Sequence, residues 1–418
     1  MSCINKHIIV IGGGVAGLFA SVMAAHHGCK VTLFEKMNRV GLKMGITGKG
    51  RCNITNAKPI TEFIKMTPGN GKFLFSSYSR FSNEDLLHIF HEWGLETVTE
   101  RGGRVFPASE SAQDVRYLFM RKLKEYKVDV HLEEPVRHLD IYDGNVKGVN
   151  TDRGNYACDA VIICTGGKSY PRTGSTGDGY LLAKEAGHTI IPIRPVLIHF
   201  ITKEDWCKKL QGLSLKNIRL TVSGGSKKMA TEMGEMMFTH FGITGPIVLS
   251  LSDKVSLWLS LGLSVSASLD MKPALSEEKL DKRVLRDLEK YHLKQIAGAM
   301  QDLLPHRMID IVLDLAQIPP NYPVSELTKA QRQKLVTTLK NMPITIIGTR
   351  PIEEAIVTAG GISTKEINAK TMESKLCKNL YFAGEVIDIH AFTGGYNLQA
   401  AFSTGYSAAL SILGGMDS

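Results

Sequence analysis

A glycine-rich turn near the beginning of the chain constrains the fold more than any other feature. Ile8–Ile11 is a continuous apolar run, typical of a strand buried in a parallel sheet. The G-x-G-x-x-G motif Gly12–Gly17 follows at once and leads into a segment rich in small residues, with Gly28 as its predicted C-cap. A second apolar run, Val31–Phe34, ends at Glu35. The order predicts a strand, a tight turn, a helix and a second strand.

Each glycine of this turn has a physical role in a dinucleotide-binding site. Gly12 permits the tight turn, Gly14 lets the backbone approach a pyrophosphate, and Gly17 lets the helix pack closely on the strand. The helix N-terminus presents N–H groups to phosphates. An acid at the end of the second strand can accept hydrogen bonds from ribose hydroxyls, and its presence disfavours the 2′-phosphate of NADP at this site. The predicted cofactor contacts are Gly12, Gly14, Val15, Ala16, Gly17, Glu35 and Lys36.

The segment from Arg39 to Asn56 distinguishes this chain from a simple NAD-binding domain. It shows neither helical nor strand periodicity, and it is rich in glycines, cations and small polar groups. A loop of this kind can wrap a bulky anionic ligand with backbone N–H donors, which favours FAD; the alternative is an unusually long surface loop. The predicted contacts in this loop are Gly41, Lys43, Thr47, Gly50, Arg51, Cys52 and Asn53.

Two further apolar strands end in glycines far along the chain. Ala160–Cys164 precedes Thr165-Gly166-Gly167, and Leu380–Ala383 precedes Gly384-Glu385. Because the carboxyl ends of strands line one crevice in a doubly wound sheet, an extended FAD could contact all of these turns. A Gly394-Gly395 turn then leads into an apolar helix of about Asn397 to Leu413, whose first N–H groups are predicted to face the flavin: those of Asn397, Leu398 and Gln399.

These motifs together resemble the flavoproteins with two dinucleotide-binding folds, distant relatives of the fumarate reductase flavoprotein. More closely, the chain is similar to the bacterial bile-acid 4,6-reductase-like (BaiN-like) and aminoacetone-oxidase-like family. The resemblance rests on Gly12–Gly17, TGKGRCNITN at 47–56, GRVFP at 103–107, TGGKSYPRTGSTGDGY at 165–180, FTHFGITGP at 238–246 and FAGEVIDIHAFTGGYNLQAAFSTG at 382–405. It implies noncovalent FAD, an inserted domain covering the flavin, and Glu385 on the ribityl hydroxyls. His390 departs from the acid or amide expected in relatives.

The pattern along the chain predicts an α/β fold with a discontinuous, Rossmann-like FAD-binding domain. We expect that domain over 1–193 and 351–418, and an inserted domain over 194–350 that combines a mixed β-barrel with a helical cap. Helices are predicted at Phe81–Gly94, Ser111–Tyr126, Ser276–Leu315 and Thr328–Leu339, a β-meander at Val128–Asp159 and a small antiparallel sheet or barrel at Pro195–Leu269. Val136, which opens one meander strand, is a predicted main-chain partner of the adenine.

Catalytic residues are harder to select, because spacing alone does not place a proton donor beside a substrate. The candidates for acid–base work are Arg51, Arg104, Tyr170, His390 and Tyr396, with His240 a further possibility. We interpret Cys52 as a small packing residue rather than a redox thiol, since no second Cys lies in its loop. No metal site is predicted. A second G-x-G-x-x-G motif is absent from the sequence, so NADH or NADPH is expected to bind only transiently.

These features predict an FAD-dependent oxidoreductase. The main hypothesis is NAD(P)H-linked reduction of a conjugated C=C bond in a small or steroid-like substrate lying between the flavin and the inserted domain. The enzymatic alternative is an aminoacetone-type amine oxidase that forms hydrogen peroxide. The net charge of +9 motivates a basic RNA-associated flavoprotein as a second alternative, although scattered Lys and Arg make nucleic acid the weaker partner. Seven scattered Cys and the lack of an anchor sequence favour a cytoplasmic protein without a membrane partner.

Overall fold

The computed structural model describes residues 6–225 and 228–414. These form two compact units: one contains the described residues up to Arg194 and from Ile352 onward, and the other is Pro195–Pro351. In chain order the strands are β1 (His7–Ile11), β2 (Lys30–Glu35), β3 (Thr55–Asn56), β4 (Thr97–Thr99), β5 (Arg104–Pro107), β6 (Asp129–Leu132), β7 (Val136–Tyr142), β8 (Asn145–Thr151), β9 (Gly154–Ala157), β10 (Ala160–Ile163), β11 (Ile190–Val196), β12 (Phe200–Thr202), β13 (Ser214–Gly224), β14 (Lys228–Phe238), β15 (Gly242–Thr244), β16 (Val265–Asp270), β17 (Met342–Thr349), β18 (Val357–Ile362) and β19 (Leu380–Phe382).

The α-helices range from one turn to nearly five turns in length. Two of the predicted ones begin at serine caps: Ser82 forms a capping box with Asp85, and the Ser111 hydroxyl accepts the N–H of Gln113. In chain order the helices are α1 (Val15–His26), α2 (Leu42–Ile46), α3 (Ile60–Lys65), α4 (Phe75–Arg80), α5 (Asn83–Glu92), α6 (Ala112–Glu125), α7 (Asp178–Glu185), α8 (Asp205–Lys209), α9 (Pro246–Ser260), α10 (Glu277–Lys290), α11 (Ile296–Ala299), α12 (His306–Ala316), α13 (Lys329–Lys340) and α14 (Tyr396–Ile412).

The first unit is built on a five-stranded parallel sheet of order β19-β10-β1-β2-β6. Its central strands are β-branched and buried on both faces, as the apolar runs predict. The register places Phe382, Ile163, Ile11 and Phe34 side by side in one row. All four strands therefore end at the same edge of the sheet, which confirms the Rossmann-like fold expected from the sequence.

Helices α1 and α14 pack against each other through small residues. A Cβ added to Gly405 of α14 would lie 2.6 Å from the carbonyl oxygen of Ala16, so only glycine allows this approach. Beside this contact, Phe19 of α1 lies 5.3 Å from Phe402 of α14 between ring centroids, and both side chains are buried. The small residues of the two helices thus allow α14 to approach the first turn of α1 closely.

Three smaller sheets complete the first unit. Strands β7, β8 and β9 form the predicted antiparallel meander, and β3, β5 and β4 form a second three-stranded sheet. Strands β11 and β18 pair with each other. The segment from Arg39 to Asn56 was predicted to lack regular structure, and this is wrong in part. It holds α2, a 3₁₀ turn at Thr47–Gly50 and β3, each too short to produce a periodic sequence pattern.

The second unit contains a closed antiparallel barrel of order β12-β15-β14-β13-β16-β17. Its interior side chains and those of α10, α12 and α13 belong to one continuous hydrophobic core. The predicted barrel and its accompanying helices are therefore confirmed, and their role as a cap over the flavin stays a prediction. Two details differ. The predicted β-rich stretch includes two helices, α8 and α9, the second of which begins at the Gly245-Pro246 pair. The predicted helix at Ser276–Leu315 is divided into α10, α11 and α12.

Among the residues the model describes, no helix has both the length and the apolarity required to cross a bilayer. The predicted domain boundaries at 193/194 and 350/351, taken as limits of independently folding domains, stay a prediction.

Candidate functional site

The turn between β1 and α1 contains two glycines that packing within the protein requires and one that this packing does not require. Gly12 has φ +105°, and a Cβ there would lie 2.7 Å from the carbonyl oxygen of Cys164. A Cβ at Gly17 would lie 1.9 Å from the carbonyl oxygen of Gly12. A Cβ at Gly14, in contrast, would meet no heavy atom of the described residues within 4 Å. This open backbone is what a closely approaching pyrophosphate requires.

The N-terminus of α1 supplies donors at the same place. Its first intrahelical bond runs from the N–H of Leu18 to the carbonyl of Gly14 at 2.8 Å. The N–H groups of Val15, Ala16 and Gly17 therefore lie in the helical turn that has no intrahelical acceptors, and they carry the positive end of the helix dipole. The predicted phosphate contacts thus lie in one turn whose N–H groups are arranged as anion binding requires.

Glu35 lies at the end of β2 beside this turn. Its two carboxylate oxygens accept the N–H groups of Gly13 at 2.7 Å and Met37 at 2.8 Å, which leaves each oxygen with a further lone pair. Burial raises the pKa of Glu35 despite these hydrogen bonds. The arrangement suits acceptance of ribose hydroxyls. The side chain of Lys36 instead pairs with Asp178, whose carboxylate lies 2.5 Å from the ammonium.

Lys43 and Glu385 meet across the site although 342 residues separate them. The Lys43 ammonium lies 2.7 Å from a Glu385 oxygen and 2.7 Å from the Ser169 hydroxyl. The second Glu385 oxygen accepts the N–H of Thr358 at 2.7 Å. The Arg39–Asn56 loop and the turns after β10 and β19 are therefore tied together by this partly buried ion pair and the hydrogen bond to Ser169.

The turn after β10 is held tightly against its neighbours. Gly166 has φ +71°, and a Cβ at Gly167 would lie 2.4 Å from the Thr358 hydroxyl. The hydroxyl of Thr165 is buried and has no hydrogen-bond partner among the described residues. In the turn after β19, a Cβ at Gly384 would lie 2.9 Å from that of Ala16. Together with the approach of Gly12 to Cys164, the contact of Gly384 with Ala16 shows that the turns after β10 and β19 both adjoin the turn between β1 and α1.

The Gly394-Gly395 turn is joined to the Arg39–Asn56 loop by amide side chains. Oriented to satisfy its neighbours, the Asn53 amide donates to the carbonyls of Val105 and Thr55 and accepts the N–H of Gly395 at 3.0 Å. Asn56 donates to the carbonyl of Gly394 at 2.9 Å. A Cβ at Gly395 would lie 2.2 Å from the carbonyl oxygen of Thr55, so glycine is required there.

One predicted donor at the start of α14 needs correction. The N–H of Gln399 donates to the carbonyl of Gly395 at 3.1 Å as the first intrahelical bond, and its side chain accepts the Thr55 hydroxyl in the core. Gln399 is therefore an internal brace rather than a cofactor donor. The N–H groups of Tyr396, Asn397 and Leu398 occupy the first turn, where intrahelical acceptors are lacking. The Asn397 side chain itself braces the loop by donating to and accepting from Ala391 at 2.8 Å.

The remaining loop residues have packing and turn roles. Cys52 is buried with φ +62°, and burial raises the pKa of its thiol to about 12, which fits a packing residue. The Thr47 carbonyl accepts the N–H of Cys52 at 3.0 Å. Gly41, with φ +71°, precedes α2, and Gly50, with φ +88°, ends the 3₁₀ turn that follows α2.

Arg51 and Arg104 lie together on one side of the β3-β5-β4 sheet. The Arg51 guanidinium stacks 4.1 Å from the Phe106 ring centre and pairs with Glu100 at 2.7 Å and Glu110 at 3.2 Å. Arg104 pairs with Glu100 at 3.1 Å and is half-exposed. Both arginines are therefore held by carboxylates, and their proposed catalytic roles stay predictions.

The other candidate acids occupy different environments. Tyr170 is half-buried with φ +55°, and burial raises the pKa of its hydroxyl. Tyr396 is buried with its ring 4.9 Å from that of Phe63, which suits packing. His390 is buried against Gly69, whose N–H donates to the His390 carbonyl at 3.3 Å. His240 is exposed in the second unit, with its ring against Phe241.

The start of β7, where the adenine is predicted to bind, lies beside a buried residue that the sequence analysis missed. Val136 is buried at the start of β7, as expected for a main-chain partner of the adenine. Two positions earlier, Glu134 is almost fully buried among hydrogen-bond donors. The sequence signal for Glu134 is weak, because it is only a charged residue inside the predicted meander.

The residues present fit FAD. The open backbone at Gly14, the donors of α1 and the Glu35 carboxylate lie at one sheet edge, and the turn that begins α14 is held against Asn53 and Thr55. These groups are of the kinds that bind the pyrophosphate, the ribose hydroxyls and the flavin ring of an extended dinucleotide.

Comparisons with known proteins agree with this assignment. The chain is 32% identical over 410 residues to a protein of Clostridium scindens named 3-dehydro-bile acid delta(4,6)-reductase, covering 96% of this chain and 98% of that protein. It is 30% identical over 414 residues to a protein of Haemophilus influenzae named ribosomal RNA dihydrouridine synthase, covering 97% and 98%. Its fold is similar to that of an open flavocytochrome c3 fumarate reductase, with a TM-score of 0.53 at 16% identity over 99% of this chain and 78% of that chain.

The family model described as HI0933-like protein Rossmann domain matches residues 6–411, which is nearly the whole chain. Together with the glycine turns that meet at one sheet edge, this match supports an FAD-dependent oxidoreductase. The chain belongs to the HI0933-like family of FAD-binding Rossmann proteins.

Proposed function

We propose that this protein reduces a C=C bond conjugated to a carbonyl group. The observation that carries the proposal is that the names of two relatives matched over nearly their full length describe this bond change, one in a dehydro bile acid and one in a uracil ring. The first substrate we propose is a small or steroid-like enone or dienone. That it lies between the flavin and the inserted segment stays a prediction from the sequence.

The reaction adds two hydrogens across the double bond. FAD, when bound and reduced, would supply the hydride that adds to the β-carbon, and a protein group must deliver a proton to the α-carbon. We propose the Tyr170 hydroxyl as the proton donor, because the adjacent Ser169 contacts Lys43 and Glu385 of the predicted flavin site. The N-terminal N–H groups of α14 would stabilise negative charge on the flavin ring by about 0.3–2 kcal/mol.

NADH or NADPH is the proposed source of the two electrons, and the balance is then one nicotinamide and one proton consumed for each double bond reduced. The chain has one dinucleotide motif, so the proposed nicotinamide binds transiently where FAD is accessible. This distinguishes the proposal from an amine oxidase, which needs an amine as reductant and O₂ as acceptor.

An anaerobic turnover experiment tests the proposal. The FAD-loaded protein is mixed with NADH or NADPH and a 3-oxo-4-ene or 3-oxo-4,6-diene steroid, and the products are analysed by mass spectrometry. We expect a product that has gained two hydrogens, formed more slowly by Tyr170→Phe. Unchanged enones, together with peroxide release from aminoacetone in air, would instead assign the amine-oxidase alternative.

A second candidate substrate is a uridine in RNA, and the distribution of charge favours it. Pro195–Pro351 carries 21 Lys and Arg against 15 Asp and Glu, so this unit holds +6 of the net charge of +9. At the end of α8, the Arg307 guanidinium donates to the carbonyls of Lys209 and Gln211 at 2.7 and 3.0 Å, which places Arg307 beside Lys209. A local excess of cations of this kind suits a phosphate backbone.

This candidate has its own test. RNA binding that weakens steeply with salt, and dihydrouridine in RNA treated with protein and NADPH, would favour RNA as the substrate. Lys209→Glu should then weaken RNA binding without changing reduction of a free enone. Absence of RNA binding at low salt would remove this candidate and leave the small-molecule proposal intact.

A further inference from the structure

We propose that Glu134 is a positioning residue that holds the adenosine end of the FAD site in its binding conformation. It does so from behind the site, without contacting the cofactor. The inference rests on the assignment of FAD to this chain and not on the identity of the reduced substrate.

The Glu134 carboxylate is saturated by the protein itself. One oxygen accepts the hydroxyls of Thr151 at 2.7 Å and Tyr156 at 2.9 Å. The other lies 2.8 Å from the Nδ1 atom of His131 and accepts the Arg153 guanidinium at 3.2 Å. Each oxygen thus has two partners, which is its normal capacity, and the side chain is about 1% exposed. No acceptor site remains for a ligand.

The backbone around Glu134 connects directly to the predicted ligand contacts. The N–H of Glu134 donates to the carbonyl of Glu35 at 3.2 Å, and the N–H of Glu133 donates to the carbonyl of Met37 at 3.1 Å. Two residues later, Val136 begins β7. A rotation of the Glu134 backbone would therefore move both the ribose-binding carboxylate segment and the adenine-facing main chain.

The donors around Glu134 come from separate elements. His131 lies in β6, whereas Thr151 and Tyr156 belong to β8 and β9. The His131 ring also lies 4.8 Å from that of Phe34 in β2, and the pKa of His131 is raised by its two carboxylate partners, Glu134 and Asp129. The carboxylate therefore joins the parallel sheet to the meander at the point where the adenosine end is predicted.

The test compares binding of FAD and of ADP, which carries the adenosine end alone. In Glu134→Gln, one carboxylate oxygen becomes an N–H₂ group that faces donors, and we expect the dissociation constants for FAD and ADP to rise about tenfold or more. The visible spectrum of the FAD-saturated variant should match that of the original protein, because the flavin end is unchanged. FAD release is followed by fluorescence after dilution, and ADP binding by calorimetry on protein freed of flavin.

Tyr156→Phe and Thr151→Val keep the test decisive if Glu134→Gln folds poorly, since each removes one neutral donor and should weaken ADP binding about twofold to tenfold. Asp152→Asn is the matched control: it breaks an exposed pair with Arg137 in the same meander and should leave ADP binding unchanged. Unchanged ADP affinity in all three test variants, or an equal loss in the control, would overturn the proposal. Neither result depends on whether an enone is reduced.

Discussion

Two glycines in the same turn should respond to alanine in opposite ways. At Gly17 the added Cβ would lie 1.9 Å from a backbone oxygen, so the helix or the turn must move by more than 1 Å to reach 3.0 Å. We expect this overpacking to cost about 1–3 kcal/mol, only partly offset by about 1 kcal/mol from the better helix propensity of alanine. Gly17→Ala should therefore lower the stability of the flavin-free protein.

Gly14→Ala should leave that stability nearly unchanged. The Cβ would enter open space, and the residue has φ −79°, which alanine adopts without strain. Loss of glycine at the N-cap costs up to about 1 kcal/mol, and the reduced entropy of the unfolded chain returns about 0.4–1 kcal/mol. The methyl group would, however, occupy the surface that the pyrophosphate approaches, so FAD affinity should fall at least about tenfold, or 1.4 kcal/mol.

Urea unfolding of the flavin-free variants measures the first effect, and FAD titration by fluorescence measures the second. The reasoning predicts a lower unfolding midpoint for Gly17→Ala only, and weak FAD binding by a stable Gly14→Ala. If Gly14→Ala bound FAD as tightly as the original protein, the assignment of this turn to the pyrophosphate would be refuted. A Gly17→Ala protein of unchanged stability would refute the packing argument.

Three further predictions concern charged and thiol groups. Burial raises the pKa of Glu35, and only its ionised form accepts two ribose hydroxyls. ADP affinity should therefore fall as the pH is lowered through that pKa, and Glu35→Gln should lose this pH dependence. An identical pH profile of ADP binding in both proteins, measured by calorimetry, would contradict this prediction. The pKa of about 12 for Cys52 predicts that a thiol reagent at pH 8 labels it only after unfolding, as mapped by mass spectrometry, whereas rapid labelling of the folded protein would indicate a reactive thiol. Glu385→Gln should lower the unfolding free energy by about 1–3 kcal/mol, and Lys43→Met should cost less in that background than alone; additive effects in this double-mutant cycle would show that the pair is not coupled.

The parts of the fold that sequence could predict are those with long or strongly ordered patterns. The buried parallel strands, the glycine turns, α1, α5, α6 and α14 follow from apolar runs, caps and glycine positions. The barrel follows from alternating residues over Pro195–Leu269. Helix α9 was missed because its mixed apolar and serine sequence lies between strands and resembles them in composition.

The site was predictable where function depends on the backbone and less so where it depends on side-chain partners. The spacing of Gly12–Gly17 implies a specific turn, and the structure shows the close approaches that require it. No spacing rule, however, indicates that Gln399 turns into the core toward Thr55, or that Glu134 collects donors from three strands. These contacts arise only when segments distant in sequence are brought together.

The most direct test of the account is to follow the oxidised-flavin absorbance of photoreduced, FAD-loaded protein after anaerobic mixing with a 3-oxo-4,6-diene steroid or with uridine-containing RNA. Photoreduction removes any dependence on the nicotinamide. The account predicts that the absorbance returns with one of these acceptors and that the acceptor gains two hydrogens in equal amount. Protein that binds no FAD, or reduced flavin that stays bleached with every conjugated acceptor and is reoxidised only by O₂, would contradict it.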